Sequence, residues 1–277
     1  MRVILLTLAL SVVASGEEPR YLDLAGAATD AQFHKAKKIE QPSSICFAAD
    51  RGTLFVIGDE GDAGEVSLEG EVLRHGRPYK EHTDIEGVTW AAASKRLFIV
   101  IEGEDVIVEL DPETFAPKAR FAVGRAYAGP QREGVPKGDL IHQGGNGIEG
   151  VTFVADEASK EGGWFYAVNQ DDPPLIIKID APIVSAKGGG DARIVEFWPG
   201  PIASLSEIQW DVERRHFYIE SGWWNEWMIL DDKMAVLARG PFPGAQTEGL
   251  TFDAEGHLWT AMDTGGIERY TLSHDLR

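Results

Sequence analysis

The chain has 277 residues, 43% hydrophobic and 26% charged, which excludes a disordered tail, a collagen-like fibre and a small disulfide-stapled scaffold. Its 45 acidic against 26 basic residues give a formal net charge of −19. That field repels phosphate backbones, excluding nucleic acid as a partner, and repels an anionic membrane surface; it suits cations, which gain free energy among close carboxylates.

Met1–Arg2 is a short basic start, and Val3 to Ala14 is almost wholly apolar. Ser15–Gly16 then leads into the polar Glu17-Glu18-Pro19. This is the layout of a secretory signal peptide over residues 1–16, cleaved after Gly16, with one domain over 17–277. Twelve apolar residues are too few to span a bilayer, and no later run approaches eighteen. The mature chain is therefore expected to carry no membrane span, to be exported to the periplasm or secreted, and to be a monomer. The lone Cys46, in the apolar run Ser44-Ile45-Cys46-Phe47, has no internal disulfide partner and reads as a small core residue.

A hairpin motif then recurs. Its first copy is Pro42-Ser43-Ser44-Ile45-Cys46-Phe47, followed by the turn Ala49-Asp50-Arg51-Gly52 and a second apolar run, Leu54–Gly58, ending at Asp59-Glu60. The second is Ile85-Glu86-Gly87-Val88-Thr89-Trp90, with Leu97–Ile101 ending at Glu102. The third is Ile148-Glu149-Gly150-Val151-Thr152-Phe153, with Phe165–Val168 ending at Asn169. The fourth is Leu205-Ser206-Glu207-Ile208-Gln209-Trp210, with Phe217–Ile219 ending at Glu220-Ser221. The fifth is Thr247-Glu248-Gly249-Leu250-Thr251-Phe252, with Leu258–Met262 ending at Asp263. Short β-branched and aromatic runs bounded by turn residues are strand chemistry. Weaker strands follow, such as Val106–Leu110 and Phe121–Val123, or Ile176–Ile179 and Ile194–Phe197.

The anchors Ser43, Glu86, Glu149, Ser206 and Glu248 are spaced by 43, 63, 57 and 42 residues, the long intervals carrying insertions at Gly124–Gly147 and Asp180–Gly190. Four strands with their turns need about 40–45 residues, the period of a propeller blade. The fold class is therefore all-β, a β-propeller of five blades, with six as the alternative count.

In a propeller the first strand of each blade lines the channel and the second returns beside it. The anchors and the residues ending the second runs then converge on one mouth. This sets Glu86, Glu149, Glu248, Asp59, Glu102 and Asp263 close together, with Ser43, Ser206 and Asn169 among them. Carboxylates packed this closely raise each other's pKa unless a cation bridges them. An oxygen-only donor set favours a hard cation, calcium before magnesium, and disfavours zinc. The competing reading of the repeated Glu is a latch that accepts backbone N–H bonds from the neighbouring blade.

Ser43-Ser44-Ile45 with Leu54–Asp59, Asp84-Ile85-Glu86-Gly87-Val88, Gly147-Ile148-Glu149-Gly150-Val151, Leu205-Ser206-Glu207-Ile208 and Gln246-Thr247-Glu248-Gly249-Leu250 occur in the order of one known family. By these motifs the chain resembles the SdiA-regulated family, exported bacterial β-propeller proteins related to thermostable and esterase-like phytases. The resemblance covers about residues 40–270 and implies a five-bladed propeller with a calcium site in or near the channel. Glu207 departs from it, standing where other copies have Gly, and so does Asn169, where others have an acid.

Three further features bear on function. The first insertion holds Arg125, Arg132, Lys137 and His142, a basic patch on an acidic protein that could meet a phosphate or carboxylate beside bound calcium. His142, just before Glu149, is a candidate general base, and Glu149 a second catalytic candidate. Trp223-Trp224-Asn225-Glu226-Trp227 follows the second strand of the fourth unit, where exposed indoles could stack on a sugar or other flat ligand or else pack between blades. Nucleophile-elbow, zinc-helix and P-loop motifs are absent from the sequence. The leading expectation is a calcium-associated propeller that binds a small ligand or a protein partner at its acidic face. The alternative is a metal-dependent hydrolase, a phytase-like phosphoesterase or a lactonase/esterase.

Overall fold

A computed structural model describes residues 20–21, 28–33, 39–80, 82–130, 135, 138–141, 147–242 and 247–271. The signal-peptide segment, and Arg132, Lys137 and His142 of the basic patch, lie outside these residues. The described chain is all-β: β1 (Arg20–Tyr21), β2 (Ala28–Phe33), β3 (Pro42–Ala48), β4 (Thr53–Gly58), β5 (Asp62–Ser67), β6 (Val72–Gly76), β7 (Ile85–Ala91), β8 (Arg96–Ile101), β9 (Val106–Leu110), β10 (Pro117–Tyr127), β11 (Ile148–Ala155), β12 (Gly163–Asn169), β13 (Leu175–Asp180), β14 (Gly189–Pro199), β15 (Leu205–Asp211), β16 (His216–Ser221), β17 (Glu226–Leu230), β18 (Val236–Pro241), β19 (Thr247–Phe252), β20 (Leu258–Met262) and β21 (Ile267–Thr271). Among the described residues no helix is long and apolar enough to cross a membrane.

The strands form antiparallel four-stranded meanders, β3–β6, β7–β10, β11–β14 and β15–β18, numbered units 1 to 4. Unit 5 is closed from the other end of the chain: β2 pairs antiparallel with β21, completing β19–β20–β21. The inner strands β3, β7, β11, β15 and β19 touch in cyclic order, and β19 meets β3 again. That ring is the β-propeller.

The packing follows from strands that are apolar on both faces. β4, β8 and β9 are buried almost throughout, because each sheet is sandwiched between two neighbours. The apolar clusters lie between successive units, with Phe55 and Ile99 between units 1 and 2 and Phe98 and Phe165 between units 2 and 3. Val168 and Phe217 join units 3 and 4, Tyr218 and Leu258 join 4 and 5, and Trp259 and Leu54 join 5 and 1. Cys46 is buried in one of these clusters, and burial pushes its thiol pKa up, out of the reactive range.

The insertions differ from the expected loops. β10 runs on to Tyr127, into the first insertion, and pairs parallel with β14, whose start at Gly189 belongs to the second. The two insertions thus join the outer edges of units 2 and 3 and cover strand edges that would otherwise be open.

Candidate functional site

Each inner strand begins with an irregularity in its pairing to the second strand. The register shifts between Pro42 and Ser44, Ile85 and Gly87, Ile148 and Val151, Leu205 and Glu207, and Thr247 and Gly249. The residues skipped are Ser43, Glu86, Glu149 (with Gly150), Ser206 and Glu248. A bulge re-aims the side chain it carries, so the repeated anchors are the bulge residues of the ring.

The glycine after the anchor has a separate cause. A Cβ on Gly87 would lie 2.6 Å from the Glu149 carbonyl oxygen, on Gly150 2.5 Å from Glu207 Cα, and on Gly249 2.7 Å from Ser44 Cα. Adjacent inner strands approach too closely for a side chain there. Among the described residues, the threonine two residues further on latches one unit to the next. Thr89 Oγ1 accepts from Phe153 N–H at 3.0 Å, Thr152 from Trp210 N–H at 3.1 Å and Thr251 from Phe47 N–H at 3.2 Å.

The glutamates and aspartates gather at one mouth. Single carboxylate oxygens of Asp59, Asp84 and Glu86 lie within 4.8 Å of one another. Burial, then Asp263 and Asp84, push the Asp59 pKa up to about 6, against the Ser43 hydroxyl, which lowers it. Burial, then Glu149 and Asp59, raise Glu86 well above the carboxylate range. Burial, then Glu102 and Glu248, do the same to Glu149. Glu248 is pushed to about 7 by burial, Asp263 and Asp59. Each of the six acids expected at the mouth thus acts on at least one of the others. Glu102 turns toward unit 3, accepting from Gly147 N–H at 2.8 Å.

The neutral members sit in the same rows. Ser43 Oγ donates to the Ile85 carbonyl at 2.5 Å, tying unit 1 to unit 2. Asn169 Nδ2 donates to the carbonyls of Asp171 and Pro173 at 2.9 and 2.8 Å, fixing the amide. Its Oδ1 and the hydroxyl of Ser206 are buried without a hydrogen-bond partner among the described residues.

Other groups carry no repeat signal. Asp84 precedes an inner strand and completes the carboxylate triplet; its place in the motif Asp84-Ile85-Glu86 was the available signal. His82, also on the mouth side of the β6–β7 connection, has φ +62° and its Nδ1 lies 2.9 Å from Glu60. Below the mouth, Glu207 accepts from the Ser44 hydroxyl and, at 2.8 Å, from Ile208 N–H. Opposite it on β16, Glu220 is fully buried, and neither carboxyl oxygen has a bond of good geometry among the described residues. Burial raises its pKa to about 8, against the neighbouring Thr247 hydroxyl.

Arg125 is not a free cation at the mouth: it forms an ion pair at 2.5 Å with the buried Asp105. Trp223 and Trp224 are 81% and 60% exposed, whereas Trp227 is buried. The Glu248 carboxyl packs on Gly222, where a Cβ would meet Oε2 at 3.0 Å. The tryptophan turn and the acidic mouth are therefore neighbours.

A family model described as "Phytase-like: Esterase-like activity of phytase" matches residues 20–246. A search of curated protein sequences returns no match. Among solved structures, Myxococcus xanthus glutaminyl cyclase superposes with a TM-score of 0.63 at 12% identity, covering 92% of this chain and 98% of that one. A streptogramin B lyase superposes with a TM-score of 0.48 at 13% identity, covering 88% and 97%. At these identities the likeness is one of fold.

Proposed function

The chain belongs to the phytase-like family described by the esterase-like activity of phytase, and from that premise we propose that it is a cation-dependent hydrolase of ester or phosphoester bonds, acting at the acidic mouth. The observation that carries this reading is the triplet Asp59, Asp84 and Glu86, whose oxygens lie within 4.8 Å of one another. The donor set fits a hard cation. It is all oxygen, and carboxylates packed this closely gain free energy when a cation sits among them.

Asp59, Asp84 and Glu86 would hold the ion, with calcium the first choice. When bound, such an ion supplies positive charge to polarise the scissile group and to lower the pKa of a coordinated water. The chain's own residues do the rest. Glu149 is buried, and burial, then Glu102 and Glu248, raise its pKa, which suits a general acid toward a leaving oxygen. Within the family, the ordered motifs from Ser43 to Leu250 support a place beside the SdiA-regulated proteins. The basic N-terminus followed by an apolar run supports export to the periplasm or beyond.

Turnover of phytate, aryl phosphates, aryl esters and lactones, each with calcium and with chelator, tests the proposal. We expect hydrolysis of at least one class, abolished by chelator and by Glu149→Gln. Hydrolysis indifferent to both, or none with any class, overturns it. A second reading, a non-catalytic receptor for a small ligand or protein partner, is favoured by the exposure of Trp223 and Trp224 beside the mouth. It predicts binding at that face with no turnover.

A further inference from the structure

Unit 4 carries a second concave surface on the mouth side. Register places Leu205, Ser221, Glu226 and Pro241 in one row across β15–β18, running outward from the channel. The β16–β17 turn tops this row and displays Trp223 and Trp224. The turn is fixed on both sides. Asn225 N–H donates to the Gly222 carbonyl at 3.2 Å and Phe242 N–H to the Asn225 carbonyl at 2.9 Å. Asn225 Nδ2 donates to the Phe242 carbonyl at 3.2 Å, and Asn225 holds φ +51°. Trp224 then walls a cleft of about 400 Å³ together with Asn225, Glu226, Arg239 and Pro241. Arg239 and Glu226 form an ion pair in it.

We propose that this cleft binds an uncharged pyranose sugar ring, stacked on Trp224 with its hydroxyl edge turned to Asn225, Glu226 and Arg239. A pyranose has apolar C–H faces and a hydroxyl perimeter. It can cover the indole and still hydrogen-bond the ion pair. A lipid tail or apolar peptide would also cover the indole, but it would strip water from Glu226 and Arg239 and return no hydrogen bonds. A phosphorylated ring would bring its charge against Glu226 and the net charge of −19. The volume lies within the roughly 300–1,000 Å³ of small-molecule sites. At a strand spacing of about 4.8 Å, the outer end of the row is within about 15 Å of the channel-lining strand. An ester-linked substituent on a seated sugar therefore reaches toward Glu248 and the mouth. That last step rests on the proposed hydrolase reading; the sugar binding does not.

Titration of the full chain with cellobiose, maltose and N,N′-diacetylchitobiose in calcium-free buffer, read by tryptophan fluorescence and by calorimetry, tests the site without reading hydrolysis. We expect saturable binding of at least one disaccharide. Trp224→Ala should weaken it at least about tenfold, the size of a lost stacking contact, and Trp224→Phe less. The melting temperature should not change, because the indole is exposed. No saturable signal with any of the three, equal binding by Trp224→Ala, or binding of inositol hexakisphosphate or phosphatidylcholine vesicles in place of the sugars would overturn the proposal. Failure of the hydrolysis assay alone leaves these outcomes unchanged.

Discussion

The hydroxyl of Ser44 donates to the carboxyl of Glu207, joining units 1 and 4, which are not neighbours in the ring. These are the two copies in which the motif glycine is replaced. Where Gly87, Gly150 and Gly249 leave no room for a side chain, Ser44 and Glu207 supply the pair that bridges the channel interior. Burial raises the Glu207 pKa, against the Ser44 hydroxyl and Ile208 N–H, which lower it. Glu207→Gln keeps an acceptor for Ser44 and for Ile208 N–H and should change stability by less than about 1 kcal/mol. Glu207→Leu strands both donors and should cost about 2–4 kcal/mol. Urea melts of the two variants check this.

Close approach of the inner strands makes a second prediction. Gly150→Ala drives a Cβ to 2.5 Å from Glu207 Cα, and backbone must shift. The expected loss is about 3 kcal/mol, the upper range for overpacking. Gly124→Ala is the control: the nearest atom to its Cβ is 3.6 Å away, and its effect should stay within about 0.5 kcal/mol. Comparable melts for the two would contradict the packing account.

The threonine latches should behave alike. Thr152→Val keeps the shape but leaves Trp210 N–H without its acceptor at 3.1 Å, at an expected cost of about 1–3 kcal/mol. Thr89→Val should lose a similar amount through Phe153. Thr152→Ser, which restores the acceptor, should recover most of the loss.

Stability of the cation-free protein should fall as pH rises. Asp59, Glu248 and Glu220 titrate near 6, 7 and 8 in the folded chain, all raised first by burial. Unfolded carboxyls titrate near 4, so between about pH 4.5 and 8 the folded chain holds more protons than the unfolded chain. The contribution of these groups is complete below that window and is lost as pH passes through the folded values. In chelator, the melting temperature should therefore be higher at pH 5 than at pH 8. Glu220→Gln should raise it at pH 8 and barely alter it at pH 5. The opposite order would show that these carboxyls are not desolvated as described.

The propeller was legible because the repeat is carried by local chemistry: short β-branched runs, turn residues and a recurring anchor. The mouth was legible for the same reason, since five bulges place five anchors at one end. Several features were not legible. The role of Thr89, Thr152 and Thr251 depends on contacts between units, which no single copy reveals. Glu220 ends the second run of the fourth copy, but its burial is a property of the closed ring. Closure of unit 5 by β2 joins segments more than 230 residues apart, and β2 carries no copy of the motif. Arg125 looked available because its partner, Asp105, lies in another turn of the chain.

Whether the converging acids hold a hard cation decides the function proposed for the mouth. Calorimetric titration of calcium into the metal-free chain, side by side with Glu86→Gln, measures this directly. Saturable binding to the unaltered chain is expected, weakened at least about tenfold, or 1.4 kcal/mol, by the loss of one carboxylate. An absence of binding heat in both proteins at several temperatures, or equal affinity in both, would contradict it.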